Sequence, residues 1–244
     1  ENELRILDKE YQLLVDKKNS LTNDALNSLK EHLNKTNNQE DLIVLSVLAW
    51  NNLNIELFSS AVNKIDKSSI KEYSFLNYLL ALDKLSKNDI IDAINLLGKS
   101  IDEAPYAIEP KLLYLNILSN DDFSKNKRLI LDSVVKWSDD FDSDKYSSNY
   151  SLVSLYYRLG TILFINKDYQ LAAESYNTAY KHLGLLQKHF SSGENIKYTI
   201  LIARANSLYL SGNTKEANDI YRKVLKMDDN YYKEELIKQY IGKE

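Results

Sequence analysis

The chain has three histidines: His32, His182 and His189. His182 and His189 stand seven apart, on one face of one predicted helix and about 10 Å apart along its axis. A metal there would need a carboxylate from another element, and neither HExxH nor a related spacing occurs. All three read as surface histidines. Asp139, Asp140, Asp142 and Asp144 crowd one stretch, and carboxylate oxygens are what Ca²⁺ takes. The EF-hand's glycine and closing glutamate are missing, so this reads as a solvated acidic loop. Cysteine is absent, which removes disulfides, thiolate zinc sites, iron–sulfur clusters and thiol nucleophiles. No GxxxxGK[ST], GxGxxG or GxSxG occurs either. What remains is Glu, Asp, Lys and Tyr, in no spacing that points to catalysis. The expectation is a non-enzyme holding neither cofactor nor metal.

Charge and composition narrow the partners. The 244 residues carry 31 Lys and Arg against 35 Asp and Glu, a formal net charge of −4. Acid and base are interspersed, whereas phosphate binding needs a net basic face; nucleic acid is not the expected partner. No apolar run approaches the roughly eighteen residues of a bilayer span. The chain begins at Glu1 with neither Met nor a charged-then-apolar leader, which fits a trimmed piece and a processed secretory product equally. The absence of Cys suits an oxidising envelope and a reducing cytosol alike. The 26 Lys outnumber the 5 Arg, and Asn, Ile, Ser and Tyr are abundant. That bias resembles proteins of AT-rich bacterial genomes, spirochaetes among them, and is a genome effect.

The elements that must position any site are helices. Apolar residues make up 44% of the chain, yet it has only six Gly and two Pro, too few for the turns of a β-sandwich. Helical apolar spacing runs over 2–18, 22–35, 39–53, 56–66, 70–86, 88–102, 110–119, 124–137, 149–166, 168–188, 194–211, 214–227 and 229–241. Thr22 and Asn88 are expected N-caps, Pro110 suits a first helical position, and Asn213 with Glu216 reads as a capping box. The stretch 138–151 is the longest polar joint. About thirteen helices with short joints make an all-α fold of six antiparallel hairpins plus a terminal helix, a single domain over 1–244.

The hairpins repeat. The sharpest unit reads Tyr156-x-x-Leu159-Gly160, then Tyr169, Ala172, Tyr176 and Ala179. A small residue on each helix lets two backbones approach, and a large aromatic fills the groove left between them. The next hairpin gives Ala203 to Ala205, Gly212, Ala217, Tyr221 and Val224; an earlier one gives Leu80-Ala81, Ala93, Leu97, Ser100 and Pro105. A looser one has Leu48-Ala49, Phe58, Ala61 and Ile65, with Ala61 set 32 residues before Ala93. The pattern resembles the tetratricopeptide repeat, best at 74–107, 153–186 and 198–231. Ala172 to Ala217 spans 45 residues against the family's 34, so the helices over 168–188 and 194–211 should protrude.

The resemblance implies an α-solenoid that binds a peptide in a concave groove lined by each hairpin's first helix. Matching positions carry Trp50, Tyr78, Tyr157, Thr161, Phe164, Asn206 and Tyr209, and aromatics give large contact area at low rotamer cost. The family's chaperone-binding members clamp a terminal carboxylate with Lys and Asn; here Ser46, Trp50, Tyr78, Leu82, Tyr157 and Thr161 stand at the matching places, so no such clamp is expected. The reading is a non-catalytic scaffold, a periplasmic protein or lipoprotein of a bacterial cell envelope, binding another protein or peptide. A cytosolic adaptor with the same mechanism, or an enzyme or adhesin on a helical scaffold, are the alternatives.

Overall fold

The computed structural model describes residues 23–66, 68, 75–141, 146–187 and 194–227. Every described element is a helix: α1 (Asn23–Lys35), α2 (Gln39–Asn51), α3 (Ile55–Lys64), α4 (Leu76–Ser86), α5 (Ile90–Glu103), α6 (Glu109–Asp139), α7 (Tyr146–Ile165), α8 (Tyr169–Gln187), α9 (Glu194–Leu210) and α10 (Thr214–Met227). Within each of its two compact units, helices that follow one another along the chain pack together. The expected helices at 2–18 and 229–241, the cap Thr22, and Asp142, Asp144 and His189 lie outside the described residues. The chain divides into two compact units between Ala104 and Pro105, well before the polar joint at 138–151.

Four turns are built alike. Leu53, Asn88, Lys167 and Gly212 have φ of +57°, +59°, +64° and +91°. In each case the next residue's amide donates back five residues, Asn54 to Ala49, Asp89 to Lys84, Asp168 to Leu163 and Asn213 to Leu208, all at 2.9 Å. A left-handed residue followed by this bond satisfies orphan carbonyls at the end of the first helix. The residue after it then opens the second helix: Asn54 accepts from the Leu57 amide, and Asp89 from that of Asp92. Asn88 is therefore not the cap expected of it. Its tolerance of positive φ puts it in the turn, and Asp89 caps. Asn213 and Glu216 meet through their side chains, at 2.9 Å.

The same bonds fix the register of the hairpins. The carbonyls of Asn54, Asp89, Asp168 and Asn213 accept from the amides of Phe58, Ala93, Ala172 and Ala217. Phe58, not Ala61, is thus the counterpart of Ala93, and the first repeat shifts by one helical turn from the expected alignment. Twelve residues before these four stand Ser46, Ala81, Gly160 and Ala205, all small and all buried.

In the first unit α2 pairs with α3 and α4 with α5. Asp83, 5% exposed, joins the two hairpins: one oxygen accepts from Ser59 of α3 at 2.5 Å, the other from Lys87 at 2.6 Å. In the second unit α6 is broken at Asp122 (φ −152°, ψ 95°), whose carboxylate caps the following turn through the Lys125 amide. The two arms match the expected helices 110–119 and 124–137. They run back on each other, because Tyr114 meets Trp137 edge-on at 5.8 Å and Lys111 reaches Asp140 at 3.5 Å. The Lys111 side chain is wholly buried, donates to the Pro105 carbonyl and lies 4.5 Å from the Phe141 ring centroid. Burial pulls its ammonium below the ordinary lysine value, against the opposing pull of Asp140.

α7 pairs with α8, α8 with α9, and α9 with α10. The nineteen residues of α8 and seventeen of α9 exceed the fourteen of α5 and eleven of α4, which is where the longer repeat spends its residues. On α10, Ala217, Ile220, Tyr221 and Val224 form one apolar stripe buried against Tyr198, Leu201, Ala205 and Leu208 of α9.

A Cβ on Gly160 would lie 2.8 Å from the Tyr176 ring. Gly160→Leu is expected to overpack this crossing and cost about 1–3 kcal/mol in denaturant unfolding. An unchanged midpoint would mean that the ring can move aside.

Candidate aromatic cleft

Tyr157, Thr161 and Phe164 recur every three to four residues on α7, so they share one face. Asn206 and Tyr209 do the same on α9. The second helices hold these faces in place. From α8, the Tyr176 hydroxyl donates to Thr161 Oγ1 at 3.3 Å, fifteen residues apart. From α10, Tyr221 donates to Asn206 Oδ1 at 2.6 Å, again fifteen apart. Burial pushes the Tyr176 phenol up to about 12, so it stays a hydroxyl donor at neutral pH. Thr161 in turn donates a hydrogen bond to the Tyr157 carbonyl at 2.9 Å, and the Tyr157 and Tyr176 rings sit 5.5 Å apart.

Phe164, Asn206, Tyr209, Leu210 and Tyr221 line a cleft of about 80 Å³ where α7, α9 and α10 converge. The structure thus brings together Phe164, Asn206 and Tyr209 of the expected groove, from two different hairpins. Thr161 and Tyr157 continue from it along α7. Trp50 and Tyr78 belong to the first unit, where Trp50 lies half-buried 5.0 Å from Phe58, and Tyr78 lies 5.1 Å from Phe75. Two cleft residues were not among the expected ones. Tyr221 fits the sequence as a core aromatic, which it also is, and its hydroxyl end is what reaches the cleft. Leu210 is 49% exposed just before the Gly212 turn, and an apolar residue at a turn edge was its one signal.

No charged side chain lines the cleft. Chemically it can seat an apolar side chain between the Phe164 and Tyr209 rings, and its one amide, Asn206, has its oxygen engaged by Tyr221. Among the described residues, no group of three or more His, Asp or Glu is placed to hold a metal ion, and no helix is long and apolar enough to cross a membrane. No protein-family model and no curated protein matches the chain.

One histidine, His182, differs from expectation. His32 is exposed and bonds Asp41 at 3.1 Å, but His182 is half-buried. Its ring stacks on Tyr156, 8° from parallel with centroids 6.1 Å apart, and its Nδ1 lies 3.0 Å from Asn149 Oδ1. The i,i+7 spacing to His189 said nothing of this, because α7 covers that face of α8. Burial, with Lys181 beside it, lowers the His182 pKa from 6.5. The unfolded chain therefore binds this proton first, and stability is lost as pH falls below about 6.5 toward the lowered native value. His182→Gln should flatten that acid-side slope in urea unfolding between about pH 5 and 7. Identical slopes would show that His182 titrates normally.

Proposed function

We propose that this chain is a non-catalytic scaffold that binds a segment of another protein, and that the cleft between α7 and α9 seats one side chain of that segment. The observation that carries this reading is the meeting of Phe164, Asn206 and Tyr209, from successive hairpins, around one opening free of charged walls. Tyr157 and Thr161 extend the same face, long enough for an extended segment to run along it. A tetratricopeptide-like stacking of the hairpins belongs to the same proposal. It is supported by the four like turns, by the small residues twelve positions ahead of the Phe58, Ala93, Ala172 and Ala217 amides, and by the twice-repeated hydroxyl bond across fifteen residues. A bacterial cell envelope is the proposed setting, with which the Lys-rich, Cys-free composition is compatible.

Tyr209→Ala should weaken partner capture by about 2 kcal/mol or more and leave the melting temperature nearly unchanged. Arg222→Glu, on the outer side of α10, should leave capture intact. Loss of capture on Arg222→Glu, with Tyr209→Ala still binding, would move the interface to the opposite face and refute the reading.

A further inference from the structure

The rim of the cleft says what kind of segment it takes. Two turns flank it, one following Phe164 and one following Leu210. Ile165 on the first is 70% exposed, and Leu210 on the second 49%. The carboxylates on these turns are already answered: Asp168 by Lys127 at 2.9 Å, and Glu216 by Arg204 at 2.5 Å. Lys167 and Lys215 are exposed and have no ion-pair partner among the described residues. Two unanswered cations are thus left, three residues after Phe164 and five after Leu210, in a chain whose overall charge is −4. Inside the cleft the polar bias has the same sign. Tyr221 donates to Asn206 Oδ1 at 2.6 Å, so what Asn206 has left to offer a ligand is chiefly its amide N–H donors.

We infer that the cleft takes an acidic peptide segment with one apolar anchor residue: the anchor seats among Phe164, Tyr209 and Tyr221, and flanking Asp or Glu side chains meet Lys167 and Lys215. The inference rests on the binding role proposed for this cleft and adds the partner's chemistry. Charge complementarity decides among partners. A basic segment would meet two unanswered lysines, and a neutral one would leave them and the Asn206 amide unused. No end of the partner chain is needed, since the lysines lie on the flanking turns and not at the cleft floor.

Selection of random linear peptides displayed on phage against the 244-residue chain, with counter-selection on Tyr209→Ala, tests this. Selected peptides, synthesised with amidated ends and a fluorophore, are then titrated by anisotropy. The expected result is an aliphatic or aromatic residue flanked by Asp or Glu. Lys167→Glu and Lys215→Glu should each weaken binding about fivefold, and added salt should weaken it too. Enrichment of neutral or basic sequences, indifferent to both lysine variants, would overturn the acidic-partner inference and leave the cleft's binding role standing. Absence of any sequence that needs Tyr209 would overturn both. Co-sedimentation with anionic phosphatidylserine vesicles, lost in the two lysine variants while no peptide is enriched, would reassign the rim to a lipid surface and likewise overturn the inference.

Discussion

The second unit depends on how closely two helices of a hairpin approach. At Gly160 the α7 backbone comes so near the Tyr176 ring that even a methyl group would collide with it. That approach buries Tyr176 at 3% exposure and leaves its hydroxyl one place to go, Thr161. The next hairpin solves the same problem with Ala205 and Tyr221, and the hydroxyl goes to Asn206. A buried phenol must find an acceptor, so the core aromatic dictates a polar residue on the opposite helix and fixes its orientation. The cleft is a by-product of this packing. Its floor is the polar edge of Tyr221, and its walls are the residues one helical turn beyond the crossing.

Where the small-residue crossing is missing, a different interaction closes the hairpin. The arms of α6 have no glycine at their contact, and they are drawn together around Lys111. Its ammonium is shared among the Pro105 carbonyl, Asp140 and the faces of Phe141 and Trp137. A buried cation of this kind is costly to desolvate, and these acceptors and π-faces offset the cost. The broken helix at Asp122 follows from the same geometry, since the chain must reverse for Lys111 to reach the far end of its own hairpin.

Much of this was legible in the residues. Most helix limits fall within a few positions of those set by apolar spacing, because the joints carry Asn, Asp and Gly; the exception is the helix expected from 70, which within the described residues begins at Leu76. The break between the arms of α6 was visible for the same reason. Registers were harder to read. Ala61 and Phe58 are both fully buried, and only the turn bonds show that Phe58 is the counterpart of Ala93. Asn88 and Asp89 are both good capping residues, and the choice between them depends on which one takes positive φ. The burial of His182 was invisible because it depends on a helix more than twenty residues earlier. Phe164, Asn206 and Tyr209 stand at positions that the resemblance assigns to a groove, but Tyr221 does not, since a residue that belongs to both core and cleft has the periodicity of core.

Native-state hydrogen exchange measures the central claim directly, because it ranks each amide by the free energy of the opening that exposes it. If the hairpin crossings hold the second unit together, the slowest amides will be those of 159–163 with 172–176 and of 205–208 with 217–221. They should exchange only through global unfolding, with the arms of α6 opening earlier. Crossing amides that exchange through local opening, while the amides around Lys111 remain protected, would contradict the account and make the buried lysine the keystone.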